Sequence, residues 1–589
     1  MPLVVQKFGG TSVADSEKIL AAARKAIRAH QQGKQVVMVV SAMGKNTDAL
    51  IELAQQINER PPAREMDMLL STGEQVSVAL MAMAIHSLGY QAVSLTGAQI
   101  GIKTDSSHTK ARIQSISTDR MKRLLDEGNI VIAAGFQGID ENMNITTLGR
   151  GGSDTTAVAL AAVLQAEACE IYTDVDGIYT TDPRALPEAC LISEVCYDEM
   201  LELASLGAGV MHSRSIEFGK KFNVPILVRS SLSDVPGSLI VKHSATEVLP
   251  VSGMALTKDE ALISVLDVPD VPGTIYRIFG PIAERKITVD MIVQNVSDAG
   301  RATISFTVPR HELNDTIEVI EKTLDELGGR IGTTDENVSK VSAVGIGMAK
   351  QTGVAHRMFR ALSDAGVNLQ IITTSEIKIS VLVDRQSALE ALRCVHAEFG
   401  LDTITSKIVA SKAQATARAH VSPTEVIDLL QGEGMEGLMI DAIVLDSTQS
   451  RITLLKVPNR PGIAAEVFEK ISEAGVFVDM IVQSYFSDQS ADMSFSVRRD
   501  QFEIAVAVGE KICHELGCQR IDHKKNIAKL SVSGIGLRSH TGVGIGMFRA
   551  LAEANINVEM INTSEVRVNV VVDGADGERA LSCLQQAFD

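Results

Sequence analysis

The sequence predicts an α/β protein: a head built on a mainly parallel sheet between helices, followed by two copies of a smaller α/β block. Three observations carry that prediction. Short apolar runs alternate with helical patterns through roughly the first 240 residues. Glycine-rich loops follow several of those runs. Residues 341–384 then recur at 530–573 without a gap, with about half of the positions identical, and 267–295 recurs at 456–484 in the same register, so a whole folded unit is present twice.

In chain order the runs are LVV at 3–5, QVVMVV at 35–40, AVSL at 92–95, IVIAA at 130–134, EIY at 170–172 and PILV at 225–228, with a helical pattern at 14–30 after the first. Their continuous apolar character suits strands buried on both faces. Helices between such strands imply parallel neighbours in a sandwich, and ligands of these sheets gather at the carboxyl ends of the strands.

The loop after the first run is Lys7-Phe8-Gly9-Gly10-Thr11-Ser12. Two glycines admit an anion close to the backbone, and Lys7 adds a point charge. The loop is neither a Walker A sequence nor GxGxxG, and a tight turn alone would show the same residues. The loop after ITTL at 145–148 is Gly149-Arg150-Gly151-Gly152-Ser153-Asp154, leading into a helix at 155–165. Ser153 or Asp154 is the expected N-cap, and Arg150 suits bidentate contact with a carboxylate. The third, TDVDGIYTTDPR at 173–184, offers hydroxyls, carboxylates, Tyr179 and Arg184. It is no calcium loop, because Pro183 stands where the bidentate Glu would be.

A formal charge of −18 without a basic block argues against nucleic acid. Seven scattered Cys without CxxC or Cys/His spacing read as reduced thiols and give no metal site made of side chains. MPLVVQKFGG carries no leader pattern, and no apolar run reaches the ~20 residues of a membrane span, so the expected location is the cytoplasm, away from membranes.

KFGGTS at 7–12, SAMGKNTD at 41–48, STGE at 71–74, LGRGGSD at 148–154 and TDVDGIYTTDPR at 173–184, in this order, resemble the amino-acid kinase family and within it the aspartokinases. The repeated tail resembles ACT domains, small amino-acid sensors. The resemblance implies a three-layer kinase sandwich at 1–245, then four βαββαβ (ferredoxin-like) ACT domains at 253–338, 339–410, 441–527 and 528–589, with a linker at 411–440. It implies transfer of the ATP γ-phosphoryl group to the side-chain carboxylate of L-aspartate, giving 4-phospho-L-aspartate and ADP, the entry to lysine, threonine and methionine synthesis. An ionised carboxylate is already a nucleophile, so alignment and charge neutralisation suffice without a general base.

Carried over by resemblance, the catalytic residues are Lys7, Arg150 and Asp154. ATP falls to Lys7, Phe8, Gly9, Gly10, Thr173, Asp174, Asp176, Tyr179, Arg184 and Val210, with Mg²⁺ held mainly by ATP oxygens and water. Aspartate falls to Ser41, Thr47, Arg150, Gly151 and Ser153, with Glu74 accepting from its α-ammonium. The chain departs from many family members at Ser213, where they have Pro after the His; this leaves Val210 and its turn open. Lysine and threonine are the implied feedback effectors, at Gly273, Asp290 and Gln294 against Asn368, Ile371 and Glu376, and at Gly462, Asp479 and Gln483 against Asn557, Met560 and Glu565. A homodimer through ACT domains is also implied, and loss of the chain beyond Ser411 is expected to alter inhibition more than turnover. The competing readings are another carboxylate kinase, using glutamate or acetylglutamate, and a non-catalytic amino-acid sensor. No GxGxxG follows the tail, against a fused dehydrogenase.

Overall fold

The structure is a computed structural model describing residues 1–207, 210–296, 300–403, 435–485, 490–537 and 542–588. Gly209, most of the expected linker and the His540-Thr541 turn lie outside the described residues.

The head carries an eight-stranded sheet in the order Glu194–Cys196, Ser238–Val241, Ile226–Ser230, Ala168–Thr173, Leu3–Phe8, Gln35–Val40, Ile130–Ala134 and Ala92–Leu95. Neighbours run parallel except Ile226–Ser230 with Ser238–Val241. All six apolar runs lie in this sheet. Side chains alternate across the central strand: Leu3 and Val5 join a core with the helices Gly152–Val163 and Ser213–Phe222, whereas Val4 and Phe8 pack under Ser16–Gln31 and Ala63–Ser87. Helices thus cover both faces, giving three layers. Ala63–Ser87 is long and apolar enough to cross a membrane, yet it packs on the sheet and carries the buried carboxyl groups of Asp67 and Glu74. A four-stranded sheet, Ile113–Ile116, Ile102–Thr104, Gln137–Ile139 and Ile145–Thr147, leads into the Gly149–Asp154 loop. The expected cap there is corrected: Gly151, at φ +70°, is the N-cap, and Asp154 sits in the first helical turn.

Each tail copy is nested rather than tandem, which corrects the expected boundaries. The start of strand Gly253–Pro269 pairs with Lys340–Val344, and its remainder with the earlier part of Arg330–Val344. The 338/339 boundary therefore falls inside one strand, and the first unit is inserted into the second. Met439–Pro458 and Arg520–Ile535 repeat this in the second copy, so 527/528 also lies within a strand and the second copy's first strand begins within the expected linker.

The pairing between units differs from expectation as well. Strand Ile371–Thr374 pairs with Val478–Tyr485, joining unit two to unit three. Phe359 packs on Phe468 at 5.6 Å between their helices, and Phe279 approaches Phe548 at 6.4 Å, joining unit one to unit four. All four units share one twelve-stranded sheet whose end strands, Asp290–Val296 and Met560–Thr563, lie against each other. Helices cover one face of each unit. The other faces bury one another in an inner core that includes Leu262, Val338, Ile371, Met480, Ile527 and Met560.

Head and tail meet at helix Tyr197–Ser205. Glu199 accepts from Ser252 Oγ at 2.8 Å and the Ile346 N–H at 3.0 Å. Glu202 pairs with Lys378 at 3.0 Å and accepts from the Glu565 N–H at 2.8 Å, so one buried helix touches units two and four.

Candidate active site

Lys7 is the last residue but one of the central strand, where the sheet delivers its side chain to the carboxyl edge. Its Nζ lies 2.5 Å from Asp154 Oδ1, with both side chains nearly buried. That pairing explains why Asp154 does not cap: its carboxylate orients the lysine. Gly10 must be glycine on steric grounds, since a Cβ would stand 2.7 Å from the Ala42 carbonyl oxygen. The Ser41–Gly44 turn thereby closes on the first loop, and the Gly44 N–H donates to the Gly10 carbonyl.

A cleft of about 1000 Å³ brings Lys7, Gly10, Ser41, Thr47 and Glu74 together with Arg150, Gly151, Ser153 and Asp154. Glu74, from the long helix, accepts from the Ala42 N–H at 3.1 Å. Its Oε2 is buried without a hydrogen-bond partner, and burial pushes its carboxyl up to about 7. A Cβ on Gly151 would clash with His212, whose imidazole is held below its ordinary value by burial and by the neighbouring Arg214. No grouping of three or more His, Cys, Asp or Glu able to hold a metal ion occurs among the described residues.

The other expected nucleotide residues lie along the adjacent strand ends. Thr173 Oγ1 donates to Asp174 at 3.1 Å, Asp176 accepts from Ser233 Oγ at 2.8 Å, and exposed Arg184 is paired with Asp182. Tyr179 lies in the short strand Ile178–Tyr179, and Val210 packs half-buried against the head core. The Phe8 ring is fully buried and stacked on Tyr172 at 4.6 Å, so it supports the loop and leaves only the Phe8 backbone for a nucleotide. Sequence reasoning missed Asp67, which accepts from the Thr109 N–H, Thr147 Oγ1 and, at 2.7 Å, pairs with His108. Its place two helical turns before Glu74 in an apolar stretch was the available signal.

At the tail seams the structure assembles the expected effector residues in other combinations. Between units one and four Asn557 donates to Asp270 at 2.9 Å and Gly273 faces Ala552, while within unit one Gln294 donates to the same Asp270 carboxylate at 3.3 Å. Asn368 shares a small cavity with Gly462 and Gln483 between units two and three, where Gln483 donates to the Leu369 carbonyl at 3.1 Å. The Oε1 atoms of Gln294 and Gln483 are both buried without a partner. A second cavity at the unit two and three seam, about 950 Å³, is lined by Thr352, Glu376, Asp479 and Lys529. Lys529 is ion-paired to Asp479, as Lys340 is to Asp290 in the first copy. The side chains of Ile371 and Met560 lie in the inner core, which leaves only their backbone to meet an effector, and the Glu565 N–H serves the junction with the head.

The amino acid kinase family profile matches residues 2–230, and ACT domain profiles match 261–325, 341–399 and 530–588. An aspartokinase of Pseudomonas aeruginosa is 48% identical over 405 residues, covering 68% of this chain and 98% of that protein. The chain belongs to the aspartokinase family. A Geobacillus stearothermophilus aspartokinase is 49% identical over 402 residues, again 68% of this chain and 98% of that protein. The crystal structure of the Synechocystis aspartate kinase is 40% identical, spans 99% of this chain and 98% of its own, and gives a TM-score of 0.52. That of E. coli aspartokinase III in complex with aspartate and ADP is 25% identical, covers 67% of this chain and 99% of its own, and gives 0.57. As an aspartokinase the chain is an ATP-using phosphotransferase; the Pseudomonas, Geobacillus and E. coli proteins match about two thirds of its length, and the Synechocystis enzyme nearly all of it.

Proposed function

We propose that this aspartokinase binds L-aspartate with its α-ammonium on Glu74 and a carboxylate on Arg150, and transfers the γ-phosphoryl group beside Lys7. One observation carries the reading: a buried carboxylate with an unpartnered oxygen faces the same cleft as Arg150 and the Lys7–Asp154 pair. Aspartate supplies one cation and two anions, and this cleft offers the complement. Ser41, Thr47 and Ser153 add hydroxyl contacts at its wall. The substrate's side-chain oxygen forms a bond to the γ-phosphorus while the bond to the β–γ bridging oxygen breaks, and ADP leaves with that electron pair. Lys7 and the Gly9/Gly10 backbone stabilise the charge spread over the transferring group, and Asp154 keeps Lys7 extended toward it. Mg²⁺ belongs to the nucleotide in this reading, neutralising its phosphate oxygens.

Feedback by lysine and threonine fits the seams. The free Oε1 atoms of Gln294 and Gln483 suit α-ammonium groups, whereas Glu376 and Asp479 are ion-paired to Arg567 and Lys529 and would have to exchange those partners for a ligand's side-chain ammonium. Because the units pair within one chain, a homodimer would join through faces other than these seams. A cytoplasmic location agrees with the reduced-thiol composition.

ADP release with MgATP and L-aspartate, L-glutamate or N-acetylglutamate, each with and without lysine plus threonine, tests the reading. Turnover only with aspartate, suppressed by the amino acids, is the expected result. Turnover with glutamate but not aspartate overturns the substrate assignment, and unchanged rates with effectors overturn the feedback.

A further inference from the structure

We infer that Glu436, three residues before the first strand of the second tail copy, Met439–Pro458, is a positioning residue for the aspartate end of the catalytic cleft. Its carboxylate takes the Arg214 guanidinium through both oxygens, to Arg214 Nε and, at 2.8 Å, to a terminal nitrogen. The rest of that guanidinium is spent on two carbonyl oxygens of the head: Leu148 at 2.5 Å and Ala111 at 2.6 Å. Leu148 immediately precedes Gly149-Arg150-Gly151, and Ala111 follows the Thr109-Lys110 wall of the same cleft. Arg214 therefore pins both sides of the cleft, and Glu436 fixes Arg214. A guanidinium aimed at two neutral carbonyls in a site this buried needs a counter-charge, and Glu436, with its side chain 7% exposed, supplies it.

The residues around it make the contact a built one. The Ile113 N–H donates to Glu436 at 2.7 Å, the Met435 N–H donates to the Gln114 carbonyl at 3.2 Å, and Lys221 Nζ donates to the Gly437 carbonyl at 3.2 Å. Met435 is fully buried in the head core. Ile535 and Gly536, from the closing strand of the same copy, line the cleft beside these residues. The second copy thus completes the wall of the catalytic site, and its loss should change turnover as well as inhibition, contrary to the expectation from sequence.

This inference rests on the assignment of the Arg150 loop to aspartate, and the experiment separates the two. Steady-state kinetics of the full chain with MgATP and L-aspartate are measured for Glu436→Ala, Glu436→Gln, Arg214→Ala, the Glu436→Ala/Arg214→Ala double variant and Arg150→Ala, with thermal unfolding of each. Glu436→Ala is expected to lower kcat/KM for aspartate about tenfold while shifting the KM for ATP less than about twofold. Glu436→Gln, which keeps the size and an acceptor for the Ile113 N–H, should fall between, and remains a test if the alanine variant folds poorly. Acting through Arg214 means that the double variant is no worse than Arg214→Ala. Additive losses, or equal rises in both KM values with a lowered unfolding midpoint, overturn the inference. A raised aspartate KM in Arg150→Ala but not in the Glu436 variants overturns it alone, whereas no rise in any of them overturns the loop assignment with it.

Discussion

Replacing Glu74 by Gln should make this enzyme more stable and a worse catalyst. Burial raises the carboxyl from 4.5 to about 7, so the folded chain at pH 8 carries an anion that costs about 3 kcal/mol relative to the unfolded chain. The sign follows from proton counts. Between pH 4.5 and 7 the folded state holds the proton that the unfolded state has released, so stability from this group is greatest below 4.5 and is lost as pH rises to 7. Gln removes the penalty, and its amide oxygen still accepts from the Ala42 N–H. Thermal scanning should show the variant's advantage at pH 8 shrinking toward pH 5. Binding moves the other way: the loss of an ionised partner for the α-ammonium should raise the aspartate KM roughly 10- to 100-fold. In the unaltered protein kcat/KM for aspartate should fall as pH drops through about 7, while Glu74→Gln should lack that limb. A lower midpoint for Glu74→Gln at pH 8, or a wild-type profile flat from pH 6 to 8, would refute the reasoning.

Lys7→Ala leaves Asp154 buried without its cation and removes the charge beside the phosphoryl group, so kcat should fall by about a hundredfold or more in the ADP-release assay. Gly10→Ala drives a methyl group into the Ala42 carbonyl, and isothermal titration should show weaker nucleotide binding. Gln483→Leu leaves an effector ammonium without its acceptor, and the effector concentration for half-inhibition should rise about tenfold. A chain ending at Ser411 loses the partners of Phe279 and Phe359, so sedimentation should show it self-associating through the uncovered helix faces.

The head was legible because its chemistry is local. A glycine loop must stand at a strand end, and the strand announces itself by an apolar run. What the sequence hid was partnership. Asp154 reads equally well as a cap or as the counter-ion of Lys7, and only the sheet that brings residues 7 and 154 together decides between them. The seams were misassigned because the repeat makes them equivalent: Phe279 and Phe468 occupy matching positions, as do Phe359 and Phe548, so apolar pattern alone permits several pairings. Glu436 was read as linker because its meaning lies in Arg214, 222 residues earlier.

The insertion of one unit within another limits how such a tail can grow. Since unit two opens at Gly253 and resumes only after unit one is complete, no single contiguous segment encodes it, and no pair of cuts excises it cleanly. Unit two can therefore be lost or copied only together with unit one, whereas unit one, which leaves and re-enters at the paired residues Thr257 and Lys340, could be lost alone. Loss of sensors from this architecture has a fixed order, the inserted unit before its host.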